Sequence, residues 1–237
     1  MGTKERHERD REAVRHSILE AARELFITEG FPNVSIRKIA ERIEYSPAAI
    51  YGYFASKDDI FFALAEEGFR LLGDPGAGPA LTELEHLAPL ERLRSIFMRL
   101  HRFSREHPRY FALMFVERSV PRISREYERF AFAREMKRHL VDHVQSCIDA
   151  GVLPPAVKPF VAIRLLTMSI VGLATLSLSD RLAPGEDPDR LAADAINVVL
   201  AGLQSGVALE STGEVDCPAG DAAVPDVQRV NEESFRR

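Results

Sequence analysis

Apolar residues recur three and four positions apart along most of the chain, and this spacing restricts the fold more than any other feature of the sequence. Such spacing places the apolar side chains on one face of an α-helix. Alternating β-branched runs flanked by a two-residue turn, which would indicate β-hairpins, are not found. The pattern therefore predicts an all-α protein.

Three short helices and a longer fourth one are predicted between residues 11 and 72. Gly30 ends the first helix, and a serine precedes each of the others in the position typical of an N-cap. These serines are Ser35, Ser46 and Ser56. Pro47 follows the second of them at the first helical position, where the missing N–H of proline costs nothing.

A stretch rich in glycine and proline, residues 73–79, separates this region from a second one, which we predict to be a helical bundle over residues 80–208. Helical periodicity there covers residues 90–103, 123–148, 159–182 and 188–206, with a short apolar segment at 110–116. Residues 209–237 lose this periodicity and contain seven acidic against three basic residues, which predicts a disordered acidic tail. Residues 1–10 are predicted to form a flexible N-terminal arm.

Composition excludes several classes of protein and site. Two cysteines in 237 residues are too few for a disulfide scaffold or a four-cysteine zinc site. His139 and His143 have the spacing of metal ligands on a helix, but no third ligand is evident nearby, so no metal and no cofactor is predicted. No pairing of a nucleophile with a base is recognisable, which argues against an enzyme.

Neither secretion nor membrane insertion is expected. The first fifteen residues are polar and charged, unlike a signal peptide. The most apolar stretch, residues 160–178, contains Arg164 and several hydroxyl residues, and we interpret it as a helix buried between subunits. These features predict a cytoplasmic protein that does not contact a membrane.

The second and third short helices have the plan of a DNA-binding helix-turn-helix over residues 35–54. A recognition helix needs an apolar inner face for docking and an outer face small enough to approach bases in the major groove. Ile50 and Phe54 provide the inner face. The outer face carries Pro47, Ala48, Ala49, Tyr51, Gly52 and Tyr53.

Within residues 11–72 the chain resembles the tetracycline-repressor (TetR) family of bacterial regulators. The resemblance is carried by Ile18-Leu19-x-Ala21-Ala22-x-x-Leu25-Phe26, Gly30-Phe31, Ser35-Ile36-x-x-Ile39-Ala40 and Ile50-Tyr51-x-Tyr53-Phe54-x-Ser56-Lys57. It implies phosphate contacts from Ser35, Tyr51, Tyr53 and Lys57. It also implies that Tyr45, Ser46, Pro47, Ala48 and Ala49 lie at the DNA and that Arg37 reaches a base or a phosphate.

The predicted recognition helix has no Arg, Lys, Asn or Gln, so it is poorly suited to bidentate base recognition. We therefore predict apolar contacts between its small residues and thymine methyl groups, with some contribution from Arg37 or the N-terminal arm. Residues 1–60 contain ten basic and eleven acidic residues, so positive charge acts only where it is clustered.

The resemblance also implies a homodimer and a pocket for a small-molecule effector in the second region. The predicted dimer interface comprises Ile170, Gly172, Ala174, Leu178, Ala195, Val198, Val199 and Leu203. The predicted pocket residues are Phe97, His101, Met114, Glu117, Arg118, Met136 and Met168.

These features together predict a dimeric repressor that binds operator DNA and is released by its effector. An activator on the same scaffold and an all-α enzyme or carrier with a vestigial helix-turn-helix remain as alternatives. A metal sensor using His139 and His143 is a third one.

Overall fold

The computed structural model describes residues 3–73, 83–121 and 131–211, and within these ranges the chain is helical without any β-strand. The predicted all-α class is therefore confirmed. The α-helices are α1 (Thr3–Glu29), α2 (Ile36–Arg42), α3 (Pro47–Tyr51), α4 (Lys57–Gly73), α5 (Pro89–Glu106), α6 (Pro108–Phe111), α7 (Ala131–Asp149), α8 (Pro159–Leu178) and α9 (Pro188–Gln204). Short 3₁₀ helices cover Phe31–Asn33 and Glu83–His86, and a π-helical turn covers Ala112–Val116.

The first three helices and the first half of α4 form a unit that we call the head. Helix α1 packs on α2 and α4, and α2 packs on α3. Fully buried side chains from every one of these helices meet in its centre, including Ile18, Ile39, Ile50 and Phe61. Burial of this size, about 2 kcal/mol per large apolar side chain, fixes helices that are too short to be stable alone.

Serine side chains define the starts of three helices, as the sequence predicts. The Oγ of Ser35 accepts a hydrogen bond from the Lys38 N–H at 3.2 Å, and the Oγ of Ser46 accepts one from the Ala49 N–H at 3.2 Å. Ser56 caps α4 in the same way, since its Oγ accepts a hydrogen bond from the Asp59 N–H, and its hydroxyl also donates one to the Asp59 carboxylate. These caps satisfy N–H groups that a helix cannot satisfy internally.

The N-terminal arm differs from its prediction. Residues 3–10 are the first turns of α1 rather than a flexible segment, so that prediction is wrong for these residues. Nothing between Thr3 and Gly30 breaks a helix, and acidic and basic residues alternate at spacings that support one, as in the Glu12–Arg15 pair at 3.7 Å. Gly30 ends the helix with a φ of 81°, a conformation that suits glycine.

The remaining helices, together with the second half of α4, form the body. Helices α5, α7, α8 and α9 pack on one another around Leu93, Phe97, Val144, Leu166 and Ile196, all of them buried. Helix α8 ends at Leu178 and α9 at Gln204, slightly earlier than predicted, because the backbone turns at Asp180 and Gly206 with positive φ. By length and composition alone α8 could cross a membrane, and here it packs against α5, α7 and α9.

Parts of the predicted organisation lie outside the described residues. These are the segment 122–130 at the start of the helix predicted over 123–148, most of the break at 73–79, and the tail from residue 212 onward.

Tyr110 on α6 connects the body to the head. Its hydroxyl accepts a hydrogen bond from Arg23 Nη1 of α1 at 3.0 Å, and the Arg23 guanidinium lies 4.9 Å from the ring centroid. Glu67 of α4 faces the same hydroxyl, and Glu20 pairs with Arg23. Burial, followed by the charge of Glu67 and its hydrogen bond, raises the pKa of Tyr110 to about 12.

This pKa makes the free energy of unfolding depend on alkaline pH. In the unfolded chain a tyrosine ionises near pH 10, whereas buried Tyr110 keeps its proton until about pH 12. The unfolded state therefore binds fewer protons in this range. We expect the free energy of unfolding of the wild type to fall by about 2 kcal/mol between these pH values through Tyr110, a loss that Tyr110→Phe does not show. Urea unfolding at pH 10 and pH 12 measures the difference. Tyr51→Phe, at an exposed ring, is the control and should show the same change in the free energy of unfolding as the wild type. An equal change in the wild type and Tyr110→Phe would contradict the burial of the Tyr110 phenol.

Candidate DNA-binding site and effector domain

Helix α3 presents small side chains on a firmly anchored backbone. Ile50 is fully buried and Phe54 nearly so, both in the core of the head, while Pro47 and Ala48 are exposed and Ala49 is half-buried. The predicted inner and outer faces are therefore observed. With no long side chain on the outer face between residues 46 and 50, the backbone of α3 can approach base edges closely.

Two exposed tyrosines flank this face. Tyr51 is 57% exposed at the end of α3, and Tyr45 is 44% exposed in the turn before it. Neither ring contributes to the buried core of the head, so packing does not account for their positions. Ser35 and Ser46 are exposed as well, and their hydroxyl groups can still donate a hydrogen bond to a phosphate after accepting the capping bonds.

Tyr53 and Lys57 are held more tightly than their neighbours. Tyr53 is half-buried against the core, and the Arg11 guanidinium lies 5.8 Å from its ring centroid. Lys57 is half-buried, donates from Nζ to the Phe31 carbonyl oxygen at 2.7 Å, and lies 4.1 Å from the Phe31 ring centroid. The Lys57 ammonium is thus fixed at the start of α4 with two donors remaining for a phosphate.

The basic residues around the helix-turn-helix have acidic partners, which sequence reasoning did not find. Each of three exposed cations on α2 is paired with a glutamate of α1 or α2, and the pairs are Arg37–Glu41, Lys38–Glu29 and Arg42–Glu24. Exposed pairs of this kind contribute little to stability and are readily exchanged. A DNA phosphate must therefore compete with a carboxylate for each of these cations.

The predicted dimer residues divide into two groups. Gly172, Leu178 and Val198 are exposed, and Ala195 and Val199 are half-buried, so these five remain available to a partner. The prediction is wrong for Ile170, Ala174 and Leu203, which are buried inside their own protomer. Helix α8 is apolar on all sides, so periodicity alone could not tell which side faces the protomer core.

An exposed apolar surface nevertheless exists on α8 and α9. Met168 is 59% exposed, Leu176 is 45% exposed and Val198 is 72% exposed, and Gly172 lies between the first two along α8. We call these four residues the α8–α9 face. Met168 and Leu176 belong to this face because they are exposed. The sequence analysis placed Met168 in the pocket and made no prediction for Leu176.

The predicted pocket residues differ in their burial. Phe97 is buried, Met114 and Met136 are half-buried, and Met114 packs beside Gly68 of α4. Glu117, Arg118 and Met168 are exposed, and the prediction that these three line an enclosed cavity is wrong. The π-helical turn at Ala112–Val116 ends just before Glu117 and so leads the chain out to the surface there.

His101 is buried but already has a partner. It is 2% exposed, and its Nε2 lies 2.9 Å from Asp189 Oδ1 at the start of α9. Arg105 binds the same oxygen, and hydrogen bonds from Arg105 and His101 lower the pKa of the Asp189 carboxyl. His101 therefore ties α5 to α9. In the part of the chain that the structure describes, no group of three His, Cys, Asp or Glu side chains could hold a metal ion.

Two family models match the chain in succession. The model described as bacterial regulatory proteins, tetR family, matches residues 18–64 and so covers most of the head. The model described as tetracyclin repressor-like, C-terminal domain, matches residues 93–199 and so covers most of the body.

Individual relatives agree with these matches. The HTH-type transcriptional repressor Rv1474c of Mycobacterium tuberculosis is 28% identical over 185 residues, which are 76% of this chain and 88% of that protein. The HTH-type transcriptional repressor AcnR of Corynebacterium glutamicum is 38% identical over 70 residues, 30% of this chain and 37% of that protein.

Solved structures share the fold. FadR from Bacillus subtilis, crystallised with stearoyl-CoA, superposes with a TM-score of 0.64 at 16% identity, over 79% of this chain and 98% of that one. Head and body thus match two consecutive models of this family. The chain belongs to the TetR family of bacterial transcriptional regulators.

Proposed function

We propose that the protein is a homodimeric transcriptional repressor that binds operator DNA through α2 and α3 and is released from it by a small-molecule effector. The observation that carries this proposal is the anchored α3, whose exposed face is made of Pro47, Ala48 and Tyr51. Such a chain acts by binding rather than by catalysis, on DNA in the cytoplasm. Both relatives described above are named repressors, which favours repression over activation.

Different residues around α3 suit contacts with phosphates and contacts with bases. Ser35, Tyr51 and Lys57 surround α3 with hydroxyl and ammonium donors, which suit phosphates and fix the position of the head. Pro47 and Ala48 have no polar side-chain atom, so they suit the C5-methyl group of thymine. Arg37, Tyr45, Ser46, Ala49 and Tyr53 complete the proposed DNA-binding set. Affinity then depends on salt through the phosphate contacts and on sequence through thymine.

Selection of bound duplexes from random DNA tests this proposal. We expect a palindromic site with thymine under α3 in each half. Replacing one such thymine by uracil removes only the methyl group and should weaken binding by about 1 kcal/mol, or roughly fivefold, measured by fluorescence anisotropy. Uracil at a thymine outside the half-sites is the control. Selected sites without thymine under α3 would contradict the proposed recognition.

The α8–α9 face supports the homodimer. Met168, Leu176 and Val198 are large apolar side chains exposed to solvent, and Gly172 allows close approach of a second helix. Two such faces related by a twofold axis would form a four-helix bundle. A dimer also presents two copies of α3, which a recognition helix with few base contacts needs for tight binding.

A charge placed on this face should separate the protomers. Val198→Asp puts a carboxylate where we propose an apolar contact, and we expect a monomer by analytical ultracentrifugation together with loss of operator binding. Ala156→Asp introduces the same group at an exposed alanine in the loop between α7 and α8 and should leave the dimer intact. A Val198→Asp chain that remains dimeric would contradict the proposed interface.

Release by an effector follows from linkage between the two binding events. If a ligand binds the body best when the two heads are wrongly spaced for DNA, ligand and operator weaken each other equally. FadR of Bacillus subtilis holds stearoyl-CoA, so long-chain acyl-CoA is the first effector to test on this chain. Loss of the anisotropy signal on adding stearoyl-CoA, with coenzyme A as control, would identify this class. Release by neither calls for a wider screen of small molecules.

A further inference from the structure

The N-terminal turns of α1 extend beyond the packed part of the head. Every residue from Glu5 to Ala13 is exposed, and the first fully buried residue of α1 is Ile18. At 1.5 Å per residue this overhang is roughly 13 Å long. Two arginine side chains, one within this overhang and one just after it, contact aromatic rings of the helix-turn-helix region.

These contacts place one side of the overhang next to the recognition helix. The Arg11 guanidinium lies 5.8 Å from the ring centroid of Tyr53, and the Arg15 guanidinium lies 5.3 Å from that of Phe54. Tyr53 and Phe54 immediately follow α3, whose exposed face we assign to DNA. Arg11 is itself exposed, so its guanidinium lies at the edge of the proposed DNA surface.

Helical register extends this side along the overhang. His7, Arg11 and Arg15 are four residues apart, and Ile18 and Ala22 continue the same line into the core. This side of α1 is therefore apolar where it is buried in the head and basic where it extends beyond the head. We call His7, Arg11 and Arg15 the α1 ridge. Arg6 lies about 140° from Arg11 around the helix axis and is therefore not on this side.

Arg11 differs from the cations of α2 in the nature of its contact. Arg37, Lys38 and Arg42 each face a glutamate, whereas the contact described for Arg11 is with a neutral aromatic ring. A cation–π contact orients the guanidinium without neutralising it. Its charge can therefore act on a phosphate without first displacing a carboxylate.

We propose that the α1 ridge, with Arg11 at its centre, binds DNA phosphates that flank the half-site contacted by α3. The occupant follows from charge complementarity and from the continuity of the ridge with the helix-turn-helix surface through Tyr53. Arg11 binds the backbone and also positions the Tyr53 ring beside it. This inference rests on the proposed operator binding and adds a second contact surface to it.

Salt dependence of operator binding tests the ridge. The full-length protein is titrated with the selected duplex over a range of salt concentrations, and the slope of log K against log salt counts the phosphates bound. Because the proposed homodimer carries two copies of Arg11, we expect Arg11→Gln to reduce this slope by about 1.8 and to weaken binding about fivefold per half-site at 0.15 M salt. Arg11→Lys, which keeps the charge, should restore most of the slope.

Arg6→Gln is the matched control, because it removes the same charge from the other side of the overhang. We expect its slope to equal that of the wild type, and thermal unfolding should show that both glutamine variants are folded. If the salt slope is unchanged in Arg11→Gln, or is reduced equally in Arg6→Gln, the proposal that the α1 ridge binds phosphates is wrong, while the proposal of operator binding is not affected. A wild type that binds no duplex overturns both proposals.

Discussion

Burial of Ile50 and Phe54 is the interaction on which the rest of the molecule depends. Helix α3 has five residues, far fewer than a helix needs to persist in water on its own. Its shape is imposed by these two side chains inside the head and by the Ser46 cap at its start. Because the anchoring comes from the inner face, the outer face is free to carry small residues, and this freedom makes close contact with a base edge feasible.

Head and body are joined by polar contacts as well as by packing. Arg23 of α1 in the head donates a hydrogen bond to the Tyr110 hydroxyl on α6 in the body. Within the body, Glu67 of α4 faces the same hydroxyl, and Arg99 of α5 donates to the Leu72 carbonyl oxygen of α4 at 2.7 Å. These groups are partly or fully buried, so a small displacement costs more than it would at the surface. Movement of α6 relative to α4 would therefore displace α1 through the Arg23–Tyr110 hydrogen bond, and the remainder of the head packs on α1.

Much of this architecture could be predicted from the sequence because local rules decide it. Serine caps and a stop at Gly30 define the first helices, and apolar positions spaced three and four residues apart, such as Ile18 and Ala22, define their inner faces. What could not be predicted depends on contacts between distant residues. The Glu24–Arg42 pair and the His101–Asp189 contact join residues that are 18 and 88 positions apart, and neither leaves a local pattern. Ile170 and Ala174 were misplaced because α8 is apolar all round and such a helix does not reveal its inner side.

The ion pairs on α2 also affect how the protein is distributed between its operator and the rest of the chromosome. A head with nearly balanced charge is held weakly by arbitrary chromosomal sequence, because non-specific attraction to DNA scales with the number of uncompensated cations. Fewer copies are then trapped at irrelevant loci, and the free pool that can meet an operator or a metabolite is larger. Fewer copies of the protein then suffice to occupy a single operator.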